Sequence, residues 1–93
     1  MALLTTKEIR HALLDLKGWN LERKEIRRKF EFADFNRAMG FVNSVALYAE
    51  RANHHPDIDI RWNKITLSLS THSEGGITRK DLSLAKKIDS LIG

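Results

Sequence analysis

From Asp57 to Ser70 the chain alternates apolar and polar residues twice over. Ile58, Ile60 and Trp62 stand against Asp57, Asp59 and Arg61, then Ile65, Leu67 and Leu69 against Thr66, Ser68 and Ser70. Successive side chains of a strand point to opposite faces, so each run reads as a strand with one apolar and one wet face. Only Asn63 and Lys64 separate the runs, which leaves room for a tight antiparallel hairpin and nothing longer. A lone hairpin with one apolar face is not stable in water, so the rest of the chain must supply further strands and a cover.

Both are legible upstream and downstream. Trp19, Leu21 and Arg23 alternate, and after a charged turn Ile26, Arg28, Phe30 and Phe32 recur at period two, a second hairpin. Thr5-Thr6-Lys7-Glu8 fits a capping box, with Ile9, Leu13 and Leu16 at helical spacing behind it; this first helix is expected to run to about Leu16 and to be stopped by Gly18. Asp34 is an N-cap for a helix from Phe35 to about Asn53, whose face of Phe35, Ala38, Met39, Val42, Val45, Ala46, Ala49 and Ala52 is widened by Phe41, Leu47 and Tyr48. Glu74-Gly75-Gly76 is loop, and Thr78-Arg79-Lys80-Asp81 opens a last helix with Leu84, Ala85, Ile88 and Leu91 on one face. The expected fold is α+β: one domain over residues 1–93, order αββαββα, a four-stranded antiparallel sheet with helices packed on one face.

Composition narrows function by exclusion. The chain has no cysteine, which rules out disulfides, thiolate zinc sites and cysteine nucleophiles. The apolar run in MALLTTKEIRHALL is three residues long, too short for a signal segment or a membrane span, so a cytoplasmic protein with no membrane partner is expected. Net charge is +4, yet the densest basic group, Arg23, Lys24, Arg27, Arg28 and Lys29, is interleaved with Glu22, Glu25 and Glu31. No nucleic-acid-binding signature accompanies it, and the stretch reads as a solvated face. The second helix is apolar enough to bury a second side against another copy, and a homodimer or homotetramer through the sheet edge and this helix is expected.

Chemistry concentrates at the histidines. Pro56 disfavours helical geometry at His55, which ends the second helix near Asn53 and puts His54 at or just past its terminus. With Asn63 and Lys64 as the two turn residues, Trp62 pairs with Ile65, Ile60 with Leu67 and Ile58 with Leu69, and the same register sets His55 opposite His72 at a Cβ separation of roughly 5 Å. A register shifted by two also matches apolar to apolar. Imidazole, with an ordinary pKa of about 6.5, gives or takes a proton near neutrality, and converging histidines point to acid/base work. A metal site from the histidines with Glu50 or Asp57 matches no known spacing. The plain alternative is that His54 complements a helix C-terminus and the others are surface residues.

These residues carry a resemblance. Glu50-x-x-Asn53-His54-His55-Pro56, Trp62 before Asn63-Lys64, Thr71-His72, the Gly76-Ile77-Thr78 to Asp81 helix start, Gly18-Trp19 and Phe30-x-Phe32-x-Asp34-Phe35 together resemble the pterin-4a-carbinolamine dehydratase family, known in animals also as the dimerisation cofactor of a homeodomain transcription factor. The resemblance spans nearly the whole chain.

It implies an enzyme that dehydrates 4a-hydroxytetrahydropterin to quinonoid dihydropterin, recycling the cofactor of aromatic amino acid hydroxylases and needing no metal or cofactor of its own. By the same resemblance His54, His55 and His72 are catalytic or substrate-binding, with Pro56, Thr71, Ser73 and Glu74 bordering the pterin. Glu50, one helical turn before His54, could orient it or favour its charged form. Asp81 could reach the site from the last helix, although capping already accounts for it. Trp19 and Trp62 lie on apolar strand faces and are expected to pack in the core rather than stack on the pterin. Two other readings remain: a protein-binding module of the coactivator type, and a relative acting on another pterin ligand such as that of the molybdenum cofactor. Replacing His54 and His72 should then abolish dehydration without dissociating the oligomer, whereas a charge at Val42 or Val45 should disturb assembly first.

Overall fold

The computed structural model describes residues 2–92. In chain order it contains α1 (Thr6–Leu13), β1 (Asn20–Glu22), β2 (Glu25–Glu31), α2 (Phe35–Ala52), β3 (Asp57–Arg61), β4 (Lys64–Leu69), a 3₁₀ turn at His72–Glu74, α3 (Arg79–Asp89) and a last 3₁₀ turn at Ser90–Ile92. The order is the expected αββαββα. All four strands form one antiparallel sheet, β1-β2-β4-β3, so the second strand of each hairpin is central and the first is an edge.

The central pair shows why the helices lie on one side. Opposite each other stand Ile26 and Leu69, Arg28 and Leu67, Phe30 and Ile65, and all of these but Arg28 are buried. The other face pairs Arg27 with Ser68, Lys29 with Thr66 and Glu31 with Lys64, and needs no cover. Val45, Ala85 and Ile88, fully buried on α2 and α3, close the apolar face; each buried aliphatic side chain contributes about 1.5–3 kcal/mol. Arg28 stays there by lying over the Phe30 ring, 4.6 Å from its centroid, and pairing with Asp89 at 3.0 Å. Trp19 Nε1 donates to the same carboxylate at 2.9 Å, and its ring packs in the core as expected.

The three N-caps hold as read. Thr5 and Glu8 form a reciprocal box, Asp34 accepts from the Arg37 N–H at 2.8 Å, and Thr78 and Asp81 form a second box. Helix α1 ends at Leu13, three residues short of expectation: Leu14, Asp15 and Leu16 donate to His11, Ala12 and Leu13, a tighter winding that still delivers Leu16 to the core.

The β3–β4 register is shifted by two from the expected one. Ile60 pairs with Ile65, Ile58 with Leu67 and Asp57 with Ser68, around a turn made by Trp62 and Asn63. The cause lies outside the hairpin. Asn63 is buried, its Nδ2 donates to Phe32 O at 2.7 Å, and Phe32 N donates to Asn63 O at 2.9 Å. This double link to the β2–α2 connection places Asn63 and forces Trp62 into the left-handed region at φ 54°. Trp62 is consequently 64% exposed with Lys64 Nζ 5.5 Å from its ring centroid, not a core residue. His55 does not face His72, because the ladder ends at Asp57–Ser68 and Thr71 bridges to Gly76 instead.

Helix α2 buries one stripe of Ala38, Phe41, Val42, Val45 and Ala49. Val42 and Val45 therefore face the protomer's own sheet and are not probes of assembly. Phe35 and Leu47 point outward, at 50% and 67% exposure, and the edge strand β3 leaves Ile58 and Ile60 more than a third exposed.

Candidate active site

The end of α2 sets the first two histidines. Asn53 adopts φ 50°, ψ 44°, a left-handed conformation that asparagine tolerates better than most residues. The His54 N–H then reaches back to Ala49 O at 3.1 Å, closing the helix. Pro56 carries the chain on into β3. The two histidine side chains part company: His54 is 10% exposed, His55 56%.

His54 meets the first turn of α3. Its Nε2 lies 2.6 Å from Asp81 Oδ1, and the Asp81 side chain has no exposed surface. A buried carboxylate is tolerable only when fully partnered. Asp81 Oδ2 accepts from the Thr78 N–H at 2.9 Å and from Thr71 Oγ1 at 2.8 Å, and the two threonine hydroxyls are themselves 2.8 Å apart. With Nε2–H donating to the Asp81 carboxylate, Nδ1 is left as the ring atom able to give or take a proton. Among the described residues no buried polar side-chain atom lacks a partner; Nδ1 has no hydrogen bond, so it opens to the surface.

Glu50 bonds His55, not His54 as expected. The Oε2–Nε2 pair bridges the helix end in the open, with Glu50 76% exposed. The left-handed residue at Asn53 is the reason, since it breaks the helical phase that would put residue 54 one turn above residue 50. His72 starts the 3₁₀ turn directly after Thr71 and is exposed, as are Ser73 and Glu74, while Pro56 is half-buried. His54 and His72 line separate concavities, the former between α2 and α3, the latter beside Arg23, Lys24, Ser70 and Gly75. Thr71 links them, bonded to Asp81 and adjacent to His72 in the chain.

Asp81 is thus the hub, a rank its sequence did not reveal because the capping box accounted for it locally. Thr78 caps α3 as its sequence predicts, but its hydroxyl contact to Thr71 has no sequence signal. Among the described residues no three His, Cys, Asp or Glu side chains stand together as a metal site, and no helix is long and apolar enough to cross a membrane.

Residues 2–91 match the family described as Pterin 4 alpha carbinolamine dehydratase. A protein of Roseiflexus castenholzii, provisionally named pterin-4-alpha-carbinolamine dehydratase, is 55% identical over 98% of both chains. One of Mycobacteroides abscessus under the same provisional name is 53% identical over 100% of this chain and 99% of its own. The crystal structure of a transcriptional coactivator/pterin dehydratase from Brucella melitensis superposes with a TM-score of 0.95 at 40% identity, covering 99% of this chain and 100% of that one.

Proposed function

Because the chain belongs to the pterin 4 alpha carbinolamine dehydratase family, we propose that it dehydrates 4a-hydroxytetrahydropterin to quinonoid dihydropterin by general acid/base catalysis at its histidines. In that reaction the bond from C4a to its hydroxyl oxygen breaks, the neighbouring nitrogen gives up its proton, and a C=N double bond forms between them. One protein group must deliver a proton to the departing hydroxyl, and another must accept the one from nitrogen. The sum is substrate to product plus water, and such proton transfers contribute roughly 10²- to 10⁴-fold.

The Asp81–His54 pair carries the reading. A fully buried carboxylate fixes the imidazole's tautomer and orientation, and the free Nδ1 opens to the surface. A histidine serving only to complete a helix terminus needs no such support. His55, held by Glu50, and His72, beside Thr71, are the second proton-transfer group and a substrate contact; Pro56, Ser73 and Glu74 border the ring. Cytoplasmic recycling of a tetrahydrobiopterin-type cofactor is the fitting role.

Assembly belongs to the same proposal. Ile58 and Ile60 on an unpaired strand edge, and Phe35 and Leu47 on the outer side of α2, are the surfaces a second copy would cover. The outer side of α2 is also where a coactivator-type partner would dock, a second reading favoured by the description of the Brucella protein.

The test is the decay of freshly generated 4a-hydroxytetrahydropterin followed by ultraviolet absorbance. Wild-type protein should accelerate it, and a folded His54→Ala, His72→Ala double variant should not. No acceleration by wild type would leave the binding-module reading in its place.

A further inference from the structure

Capping α3 asks of the Asp81 side chain only its bond to the Thr78 N–H. The bond from Thr71 comes from ten residues earlier in the chain and adds nothing to that cap. What it restrains is rotation of the carboxylate whose other oxygen, 2.6 Å from Nε2, holds His54. The hydroxyl protons can be followed one by one. Thr71 Oγ1 donates to Asp81 Oδ2 at 2.8 Å, so its single proton is committed, and the 2.8 Å contact between the two threonine hydroxyls is filled by the proton of Thr78. Thr78 Oγ1 in turn accepts from the Lys80 N–H at 3.2 Å. The chain therefore runs one way, from Thr78 through Thr71 to the carboxylate, and each bond polarises the next.

The main chain of Thr71 is fixed independently of that hydroxyl. Its N–H donates to Gly76 O at 2.7 Å, and its carbonyl accepts from the Glu74 and Gly75 N–H groups at 3.0 Å each. The loop that carries His72 and Ser73 is thereby closed on Thr71, and the hydroxyl is delivered to Asp81 from an anchored backbone. Thr71 is 5% exposed, with no proton left to offer a substrate.

We propose that Thr71 is a positioning residue of the dehydration site, acting on His54 through Asp81 and making no contact with the pterin. The inference rests on the dehydratase reading and adds a residue to its machinery. It also ties the His72 loop to the orientation of His54, which line separate concavities.

The experiment follows carbinolamine decay with wild type, Thr71→Val and Thr71→Ser, and repeats Thr71→Val in an Asp81→Asn background, each variant first shown to be folded by circular dichroism. Thr71→Val should lower kcat roughly tenfold with KM little changed, the scale of one hydrogen bond to a charged group. Thr71→Ser keeps the hydroxyl and should stay within about threefold of wild type. In the Asp81→Asn background, where the fixed anion is already gone, Thr71→Val should cost less than about threefold further. Should valine not fold, Thr71→Ala removes the same hydroxyl with a smaller side chain and carries the same comparison. A folded hydroxyl-free variant with wild-type kcat overturns the inference and leaves the dehydratase reading standing. So does a rise in KM at unchanged kcat, which would make Thr71 a substrate contact, or an equal loss in both backgrounds, which would mean that it does not act through Asp81. No acceleration by wild type overturns the inference and the reading beneath it together.

Discussion

Asp81 and His54 share a hydrogen bond of 2.6 Å that ties the first turn of α3 to the end of α2. Because the carboxylate also accepts from Thr71 and Thr78, it cannot swing away to seek another partner, and the imidazole is held by a fixed anion. Asp81→Asn should lower kcat by roughly 100-fold with KM little changed, the pattern of a positioning residue. Unfolding free energy should also fall, by about 1–3 kcal/mol, since an amide cannot satisfy all three donors. Steady-state kinetics and urea unfolding check both arms.

The Glu50–His55 pair behaves differently because water reaches both partners. Removing an exposed pair costs less than about 1 kcal/mol. Glu50→Gln should leave the melting temperature within a few degrees of wild type, while the dehydration rate falls by roughly tenfold or more. A rate unchanged by this substitution would remove Glu50 and its histidine from the chemistry.

Two glycines should respond in opposite directions. A Cβ on Gly18 would sit 2.7 Å from Arg28 Nε on a backbone with φ +93°, so Gly18→Ala should destabilise by about 1–3 kcal/mol and disturb the Arg28–Asp89 pair. Gly40 lies within α2 with nothing within 4 Å of an added Cβ. Gly40→Ala should stabilise by about 0.5–1 kcal/mol. Thermal melts of the two variants give the signs directly.

The proposed assembly and the fold should answer to different substitutions. Ile60→Lys, at a partly exposed edge position, should lower the molecular mass measured by light scattering while the circular dichroism spectrum stays native. Val45→Asp buries a charge in the protomer core and should cost about 3 kcal/mol or more, losing the fold before any question of assembly arises.

Glu8 supplies a pH dependence. Bonds from the Thr5 backbone and hydroxyl hold its carboxyl below the ordinary value of 4.5. A group whose pKa is depressed on folding contributes stability above its unfolded value and loses it as pH falls through the folded one. Glu8→Gln keeps the cap without the titration. Below about pH 4.5, wild-type stability should therefore fall more steeply than that of the variant, as denaturation midpoints at pH 5 and pH 3 will show.

Where an interaction spans three residues, the sequence discloses it: Thr5 with Glu8, Asp34 with Arg37, Thr78 with Asp81. Element order follows from periodicity in the same way. The β3–β4 register does not, because a shift of two keeps isoleucine opposite leucine or isoleucine in either arrangement. It is decided by Asn63 bonding Phe32, 31 residues away in the chain. His54 presents the same difficulty, with Glu50 one nominal turn off and Asp81 27 residues beyond; only the left-handed backbone at Asn53 makes the distant partner the near one. The breadth of α2 was legible, but not which valines it turns inward. The concavity between α2 and α3 that His54 lines was not legible either, since its residues come from two helices.

Asp81 also sets a time order. Both adjacent histidines and the hairpin behind them precede α3, so a chain synthesised from its amino end carries all three site histidines before the carboxylate that orients His54 has emerged. The imidazole acquires its anchor only when the final helix docks. Recovery of activity after dilution from denaturant would then report the last packing event rather than formation of the sheet, and should lag the far-ultraviolet signal of the strands whenever those two events are kinetically distinct.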